Sequence, residues 1–488
     1  MPASDQAFRV ESRGIDHIPI AERWASARDV GFMWAGASVQ VEYFIYGAVL
    51  MTFGFNFAQA VSLIIVGNLS FFLLGLCSLQ APQTGTTVFA INRASFGPNG
   101  SRVISFFNWI TQIGFEVEGL ILVVGAALVL ELKAGFGTGG PAKVVFVIVA
   151  VLIQGVLPFL GHATILKTLR YLTIPFVVVF AIMLGFAIPH ATTHGVAHGV
   201  GWQVYMEGLA FTIILSGLGW TESGNDYTRY CHPNTSKPKI VAWVFAGTAV
   251  PQILIMLLGA SVGTFLVQVG TQANAFIAFA HQSYIPAWFV DVFLILAICQ
   301  LFAINSLDLY SSGVTLQAMG LRVRRYWAVV IDCIIALGVS MFAIFNTSFN
   351  TYLKDFVDVV IVWIAPWSAI FLVDWCMRRF RYVPKELQRT DRGGLYYRNG
   401  GVHWPAIVAQ LFGMYAAISA LSTTFTLPHW LNEVTLHTMS GPHFTGYGAD
   451  FSVYMGMGVA GLVYLVVGWR SVRSEARTQD DLLASEPT

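Results

Sequence analysis

The sequence predicts an all-α membrane protein with twelve transmembrane helices, and three observations lead to this prediction. Hydrophobic residues make up 56% of the 488 residues and charged residues only 11%, whereas a soluble domain carries about 25% charge. Twelve apolar segments each approach the roughly 20 residues that cross a bilayer as a helix. With twelve spans, all but three of the 27 Lys and Arg residues fall on one side of the membrane.

The apolar segments define the spans and the polar ends of the chain. We predict spans at residues 31–53, 57–79, 103–130, 144–161, 170–189, 204–222, 240–268, 287–313, 326–346, 353–376, 403–425 and 451–469. Helices are expected because lipid offers no partners to backbone groups. Residues 1–30 are polar and of mixed charge, which indicates an N-terminal tail and no cleaved signal peptide. Residues 470–488 form the predicted C-terminal tail.

The distribution of positive charge predicts the orientation. Lys133, Lys143 and Lys354 are the three basic residues on the side poor in positive charge. Because cytoplasmic loops carry the excess of Lys and Arg, both termini are expected in the cytoplasm. The protein is therefore predicted to be a multi-pass protein of the plasma membrane, the inner membrane of a bacterial cell.

Twelve spans with little soluble mass favour a transporter over a membrane enzyme or a sensor. The sequence holds no His-Glu-x-x-His and no Gly-x-Ser-x-Gly motif, and no segment long enough for an output domain. His190, His194 and His198 leave two interpretations open, a metal site or a plain polar loop, and we favour the loop. We expect no cofactor, no bound metal, no nucleic acid and no obligate protein partner beyond the lipid bilayer.

Carboxyl groups inside spans are costly and usually mark a binding site or a proton path. Glu42, Glu118 and Asp308 lie in spans one, three and eight beside Gly, Ser or Asn residues. This setting predicts a polar cavity between helices. The other carboxyl groups in or at the end of spans are Glu116, Glu222, Asp226 and Asp332, for which burial against a neighbouring group is a competing interpretation.

Spans one and six carry small residues at their centres, in "WAGAS" and "SGLGW". Gly is unfavourable within a helix and allows the backbone to unwind. Transporters place such broken helices at the bilayer midplane, where free backbone groups meet substrate and ion. Corresponding breaks in spans one and six predict an inverted repeat of two five-helix halves. Close helix packing through small residues is the alternative.

Five fragments in this order carry a resemblance to a known family. They are "MWAGAS" (33–38), "NRASFG" (92–97), "NWITQIGFE" (108–116), "GLGWTESGNDYTRY" (217–230) and "NSLDLYSSG" (305–313). The chain resembles the nucleobase–cation symporter-1 family in its purine–cytosine permease branch. The resemblance implies the LeuT-type fold, with repeat one at about 31–189, repeat two at about 204–376, and two extra helices at 403–469.

The resemblance also implies the substrate site. By position, Phe115 matches an aromatic residue that stacks on a flat heterocycle, and Gly119 stands where the family has an amide. Trp220, preceded by Gly219, matches the family's Trp in helix six. Asp308 stands where the family has an Asn that bonds the heterocycle.

Two further residues complete the expected site. Glu118 is three residues after Phe115 on the same helical face and could replace the missing amide. Ser38 ends the segment "GAS" that matches the unwound part of helix one.

Two departures from the family bear on substrate and ion. A carboxylate only accepts hydrogen bonds, so Asp308 and Glu118 favour an N–H-rich edge or a cation over a mixed edge such as that of uracil. Sodium-coupled members place two hydroxyl residues where this chain has Phe302 and Ala303. The ion-coupling candidates are therefore Glu42, Glu118 and Asp308, and proton coupling is favoured over sodium coupling.

These features predict a secondary active importer, not an enzyme, that carries a flat nitrogen heterocycle such as cytosine, a purine or a related precursor. The substrate site would open alternately to the two sides of the membrane, and a proton or sodium gradient would drive uptake. Two alternatives stay open. One is a LeuT-fold importer of an amine or an amino acid, and the other is a nutrient receptor that binds without transporting.

Overall fold

The computed structural model describes residues 16–156, 162–192, 199–321, 325–421 and 449–485. These residues are helical apart from connecting segments, with one isolated parallel bridge between Ala25 and Cys231. Eight helices in the described ranges are long and apolar enough to cross a membrane, and four shorter apolar helices accompany them. Together they correspond to the twelve predicted spans, which confirms the predicted fold class.

The helices are numbered in chain order. Helices one to six are Ala27–Ser38 continued by Val41–Met51, then Phe57–Thr84, Gly100–Lys133, Gly140–Gln154, His162–Ala187 and Trp202–Thr228. Helices seven to twelve are Lys237–Gly263, Ala287–Ala318, Arg325–Asn346, Phe349–Met377, Trp404–Ala420 and Ser452–Ser485. Short helices cover Val88–Phe96 and Pro384–Gln388 between them. Helix twelve therefore continues past the predicted end of its span at residue 469.

Helix one is broken, but not at the residues that the sequence predicts. Gly36, Ala37 and Ser38 are still helical, and the break falls at Val39 (φ −88°, ψ 83°) and Gln40 (φ −140°, ψ 153°). The predicted position was therefore wrong by one to two residues. The second half begins at Val41, whose N–H donates to Gln300 Oε1 of helix eight over 3.2 Å. This tertiary bond satisfies a backbone donor that the break leaves without a helical partner.

Helix six is broken where the sequence predicts. Its first part, Trp202–Ile213, passes into a wide turn over Ile214–Leu218, in which Ser216 is non-helical (φ −112°, ψ −126°). Gln252 of helix seven donates from Nε2 to the Leu215 carbonyl at 3.0 Å and to Ser216 Oγ at 2.8 Å. A side chain from a neighbouring helix thus holds the break in place.

The helix contacts repeat between the two halves of the chain. Helix one packs on helix seven, and helix six packs on helix two. Likewise helix five packs on helix eight, and helix ten packs on helix three. Helices one, two, three and five of the first half correspond to helices six, seven, eight and ten of the second half. With this correspondence, the contact between helices one and seven matches the contact between helices six and two, and the contact between helices five and eight matches the contact between helices ten and three. This is the pattern of an inverted repeat, and helices eleven and twelve pack outside it, against helix ten.

Helices one and seven approach closely at two glycines. A Cβ on Gly47 would collide with the Met256 carbonyl, and a Cβ on Gly259 would collide with the Phe44 carbonyl. Small residues at such crossings let two backbones come into contact where lipid gives no hydrophobic drive for association.

Both described ends of the chain lie at one end of the helix bundle. The Ile18 N–H donates to the Gly85 carbonyl at 2.8 Å, in the segment after helix two. Gln388 Nε2 donates to Thr86 Oγ1 at 3.2 Å in the same segment. The segment between helices ten and eleven, which contains Gln388, is hydrogen-bonded to Gln479 of helix twelve through Tyr396 and Arg381. We call this end the terminal end of the bundle.

Buried charges organise the terminal end. Arg378, at the end of helix ten, donates from Nε to Asp374 Oδ2 at 2.8 Å and from Nη2 to Glu475 Oε2 at 3.2 Å. Arg398 also pairs with Glu475. Both arginines donate to the Ala94 carbonyl, at 3.0 and 3.1 Å. Helix twelve is therefore tied to the short helix between helices two and three.

Candidate functional site

A pocket of about 450 Å³ lies where the breaks of helices one and six face helices three and eight. We call it the central pocket. It is lined by Gln40, Glu42, Tyr43, Tyr46, Gln112, Phe115, Ile214, Leu215, Gly219, Trp220, Glu222, Ile304 and Asp308.

Aromatic rings form much of the wall. Trp220 donates its indole N–H to the Tyr43 hydroxyl at 3.1 Å and meets Trp34 edge to face, with 5.7 Å between ring centroids. Phe115 meets Phe356 edge to face at 4.9 Å. These partners limit the rotamers of both wall residues. Rigid aromatic faces of this kind stack on flat rings at little entropic cost.

Three carboxyl groups also line the central pocket. Glu42 and Asp308 are each 7% exposed, and Glu222 is 3% exposed. Glu222 Oε1 accepts hydrogen bonds from Gln112 Nε2 at 2.9 Å and Ser223 Oγ at 3.0 Å, whereas its buried Oε2 has no partner. Along the pocket wall, the described lining holds no Lys, Arg or His side chain. The carboxyl groups of the described lining therefore face no cationic side chain in the pocket.

Of the residues that the sequence singles out, Glu42, Phe115, Gly219, Trp220 and Asp308 meet at this pocket. Glycine at 219 is required by the fold of the break, since a Cβ there would collide with the Ile214 carbonyl.

Ser38, Glu118 and Gly119 are buried but do not line the pocket. Ser38 ends the first half of helix one, before the break. Glu118 is fully buried behind the wall, where it interacts electrostatically with Glu42, Asp308 and Tyr46. It therefore belongs to the carboxyl cluster without facing the pocket space.

Gly119 packs against a side chain of helix eight. A Cβ at this position would collide with the side-chain amide of Asn305 from helix eight. Asn305 Nδ2 donates to the Glu116 carbonyl at 3.0 Å and to Gln154 Oε1 at 3.1 Å, and Gln154 Nε2 donates to Glu116 Oε1 at 2.6 Å. The side-chain amide of Asn305 in helix eight therefore occupies the space beside Gly119, the position at which the family has an amide on helix three. This network joins helices three, four and eight.

Five polar lining residues received neither a substrate role nor a coupling role from the sequence. They are Gln40, Tyr43, Tyr46, Gln112 and Glu222. Helical spacing carries a signal for some of them, because Gln112 is three residues before Phe115, and Tyr43 is three residues before Tyr46. Gln40 has no such signal, because it lies in the break itself.

The helix-eight positions linked to sodium in the family carry Phe302, which packs against the apolar core, and the fully buried Ala303. Within the described ranges, no group of three His, Cys, Asp or Glu side chains is arranged to hold a metal ion. Of the predicted histidine cluster, the His190 ring contacts the rings of Phe265 and Tyr284. His194 and His198 lie outside the described residues.

A broken-helix pocket inside an inverted repeat defines a membrane transporter, and comparison with known proteins gives its family. The family described as "Permease for cytosine/purines, uracil, thiamine, allantoin" matches residues 17–440. The chain belongs to this family and is a multi-pass membrane permease, not an enzyme. The resemblance seen in the sequence is thereby confirmed.

Relatives of similar length support the assignment. The chain is 25% identical over 486 residues to the putative purine-cytosine permease YxlA of Bacillus subtilis, covering 97% of this chain and 99% of that protein. It is 25% identical to the purine-cytosine permease fcyB of Emericella nidulans, covering 92% and 87% of the two chains.

A solved structure supports the fold. MHP1, described as a nucleobase-cation-symport-1 family transporter in a closed conformation with bromovinylhydantoin bound, aligns with a TM-score of 0.71 at 19% identity. The alignment covers 98% of this chain and 99% of that chain. At this identity the likeness establishes the fold alone, and it agrees with the repeat seen in the helix contacts.

Proposed function

We propose that this permease imports a flat nitrogen heterocycle, such as cytosine, a purine or a related precursor, which binds in the central pocket. The observation that carries the proposal is the composition of that pocket. Aromatic walls at Phe115 and Trp220 stand beside acceptors at Asp308 and Glu222. A flat ring with N–H groups on its edge satisfies both kinds of wall.

Each wall residue has a role in this proposal. Phe115 and Trp220 stack on the faces of the ring, and Asp308 accepts an N–H from its edge. The named relatives are purine–cytosine permeases, and the solved relative holds a hydantoin, which is also a flat nitrogen ring. Ser38, Glu118 and Gly119 support the site from behind the wall and are not in contact with substrate.

We also propose that protons drive uptake. Phe302 and Ala303 offer no side-chain oxygen for sodium, which takes oxygen ligands, at the positions where sodium-coupled members have hydroxyls. Glu42, Glu118 and Asp308 form instead a buried carboxyl cluster within reach of the pocket. Buried carboxyl groups without a cationic partner are suited to take up and release a proton.

Alternating access between the two ends of the bundle is the proposed mechanism, with the terminal end facing the cytoplasm. The excess of Lys and Arg at that end supports the orientation. The breaks at Ser216 and Val39–Gln40 are the points where helices six and one can pivot, because their backbone is already non-helical.

The test combines binding and flux. A thermal-shift screen of purines, pyrimidines, hydantoins, vitamin precursors, amines and amino acids should identify a flat heterocycle as ligand. That ligand, radiolabelled, should then accumulate in proteoliposomes under an imposed gradient. Binding without accumulation would establish a receptor, and binding of amines or amino acids alone would establish the other importer class.

A further inference from the structure

The central pocket has an imbalance of charge that the transport of a neutral base does not use. Three carboxyl side chains, Glu42, Glu222 and Asp308, line it, and Glu118 lies behind it. All four are at least nine-tenths buried. No basic side chain of the described chain lines the space. Buried carboxyl groups at this density require neutralisation, by protons or by the bound molecule.

Unsatisfied acceptors also belong to residues that line the pocket. Glu222 Oε2 and Gln40 Oε1 are buried without a hydrogen-bond partner, and both residues line the space. A buried acceptor without a donor costs about 1–3 kcal/mol. A mixed edge, such as that of uracil, places its own acceptors against them. An edge that carries only N–H donors satisfies them all, and such edges are typical of amidinium and aminopyrimidinium cations.

The aromatic walls suit a cation as well as a neutral ring. Trp220, Tyr43, Tyr46 and Phe115 surround the same space as the carboxyl groups. Cations on such rings are stabilised by roughly 0.5–2 kcal/mol, with Trp the strongest partner. Stacking and charge therefore act on the same ligand without competing for space.

A second pocket, on the side of the central pocket away from the terminal end, is also lined by more acidic than basic side chains. It is lined by the carboxyl side chains of Glu207, Asp358 and Asp450 and by one ammonium, that of Lys354. The Lys354 ammonium lies 3.8 Å from the centroid of the Phe53 ring. The described lining of this pocket thus holds three acidic side chains and one basic side chain.

Both pockets border helix six. Glu207, Ala210 and Phe211 line the second pocket, and Ile214 and Leu215 line the central one. The seven residues from Glu207 to Ile214 correspond to about 10 Å of helix. Acidic side chains therefore outnumber basic ones in the described lining of both pockets, and an acidic lining raises the local concentration of a cation.

From these contacts we propose that the substrate is a flat organic cation with N–H donors on its edge, held in the central pocket by Asp308 and Glu222 against the rings. The inference rests on the proposed function, because it takes the central pocket as the substrate site. The positive charge of the ligand faces these two carboxylates, so binding leaves no like charges facing each other, and Glu42 and Glu118 remain as proton carriers.

The experiment compares ligands of equal shape and different charge. The purified protein is titrated with benzamidine and with benzamide, which are flat and nearly isosteric and differ in charge and donors. Affinities are measured by Trp fluorescence or calorimetry at neutral pH. We expect benzamidine to bind about tenfold or more tightly than benzamide. Neutral and cationic pyrimidines are titrated in parallel.

Variants locate the effect. Asp308→Asn and Glu222→Gln should each reduce the ratio of cation to neutral affinity by about fivefold or more. Asp332→Asn is the matched control: Asp332 is fully buried, accepts from Trp109 Nε1 and Ser312 Oγ, and does not line the pocket. In Asp332→Asn, the ratio of cation affinity to neutral-ligand affinity should equal that of the parent protein.

The outcomes separate this inference from the proposed function. If neutral flat rings bind as tightly as cations, or bind while the cations do not, the charge inference fails and heterocycle transport stands. If the cation is preferred equally in the parent, Asp308→Asn and Glu222→Gln proteins, the assigned residues are wrong and the inference is overturned. If no flat ring binds, charged or neutral, the proposed function fails with it.

Discussion

The indole N–H of Trp220 donates to the hydroxyl of Tyr43 across 3.1 Å, and this bond joins broken helix six to broken helix one beside the central pocket. Each partner lies within a few residues of a break, at Ser216 and at Gln40. A ligand in the pocket therefore contacts both movable helices at once. Its binding energy is available to bring them together.

Trp220→Ala should weaken substrate binding by about tenfold or more, because base–aromatic stacking is worth on the order of 1–3 kcal/mol. Trp220→Phe should be milder, since it keeps one aromatic ring and loses the N–H and the second ring of the indole. Tyr43→Phe removes only the acceptor of the same hydrogen bond and should weaken binding no more than Trp220→Phe. Equilibrium binding of the screened ligand measures all three. Unchanged affinity in Trp220→Ala would mean that this residue only packs between helices.

Uptake should proceed without sodium, fall as the outside pH rises, and collapse with a protonophore. Replacing the proton carrier by its amide, as Glu42→Gln, Glu118→Gln or Asp308→Asn, should abolish uphill accumulation and leave binding partly intact. A carboxyl that only contacts substrate would instead lose binding. Labelled uptake in vesicles with imposed gradients separates these cases. An absolute need for sodium, with no change between about pH 5.5 and 8, would refute proton coupling.

The terminal end should face the cytoplasm. In a background without the five native cysteines, single cysteines introduced at positions 190–203 and 426–450 should react with an impermeant maleimide from outside intact cells. Cysteines at positions 380–400 should react only after permeabilisation. Asp391→Cys is a suitable inner site, because the Asp391 side chain is 62% exposed. The opposite labelling pattern would invert the topology.

Gly259→Ala should destabilise the protein by about 1–3 kcal/mol, the usual cost of overpacking. The added methyl group would collide with the Phe44 carbonyl where helices one and seven cross. Gly338→Ala is the control, since nothing lies within 4 Å of a Cβ there. It should be neutral or stabilise helix nine by up to ~1 kcal/mol. Thermal unfolding in detergent measures both, and equal melting temperatures would contradict the close crossing.

Asp374→Asn should cost about 3–5 kcal/mol, because it breaks a buried ion pair with Arg378. The same carboxylate also accepts from Tyr464 at 2.6 Å. Asp391→Asn breaks a pair of similar geometry with Arg389 at 2.9 Å, but that pair is exposed. No measurable change is expected for this control. If both variants unfolded at the parent temperature, the charge cluster at the terminal end would not stabilise the fold.

Local composition was enough to predict the spans and the break in helix six. Gly217 and Gly219 follow the non-helical Ser216 within three residues, so the residues that predict the break lie at the break itself. The break in helix one falls instead at Val39 and Gln40, after the small residues. Its position depends on a side chain from helix eight, Gln300, which no local pattern contains.

The candidate site divides in the same way. Phe115, Trp220 and Asp308 were accessible to sequence reasoning, because each stands within a characteristic fragment. Gly119 was misjudged, since the amide that covers it comes from Asn305, 186 positions away (305 minus 119). Whether a carboxyl side chain lines the pocket, as that of Glu222 does, or lies behind its wall, as that of Glu118 does, depends on how the long helices cross.

The ties of Glu475 to Arg378 and Arg398 have a consequence for biogenesis. Those arginines also bind the Ala94 carbonyl, so one cluster joins parts of the chain synthesised at very different times. Until residue 475 has left the ribosome, Arg398 lacks its carboxylate partner and Arg378 has only that of Asp374. The terminal end of the bundle is therefore completed only after translation of helix twelve, and a nascent chain stalled before that point should be a substrate for membrane quality control.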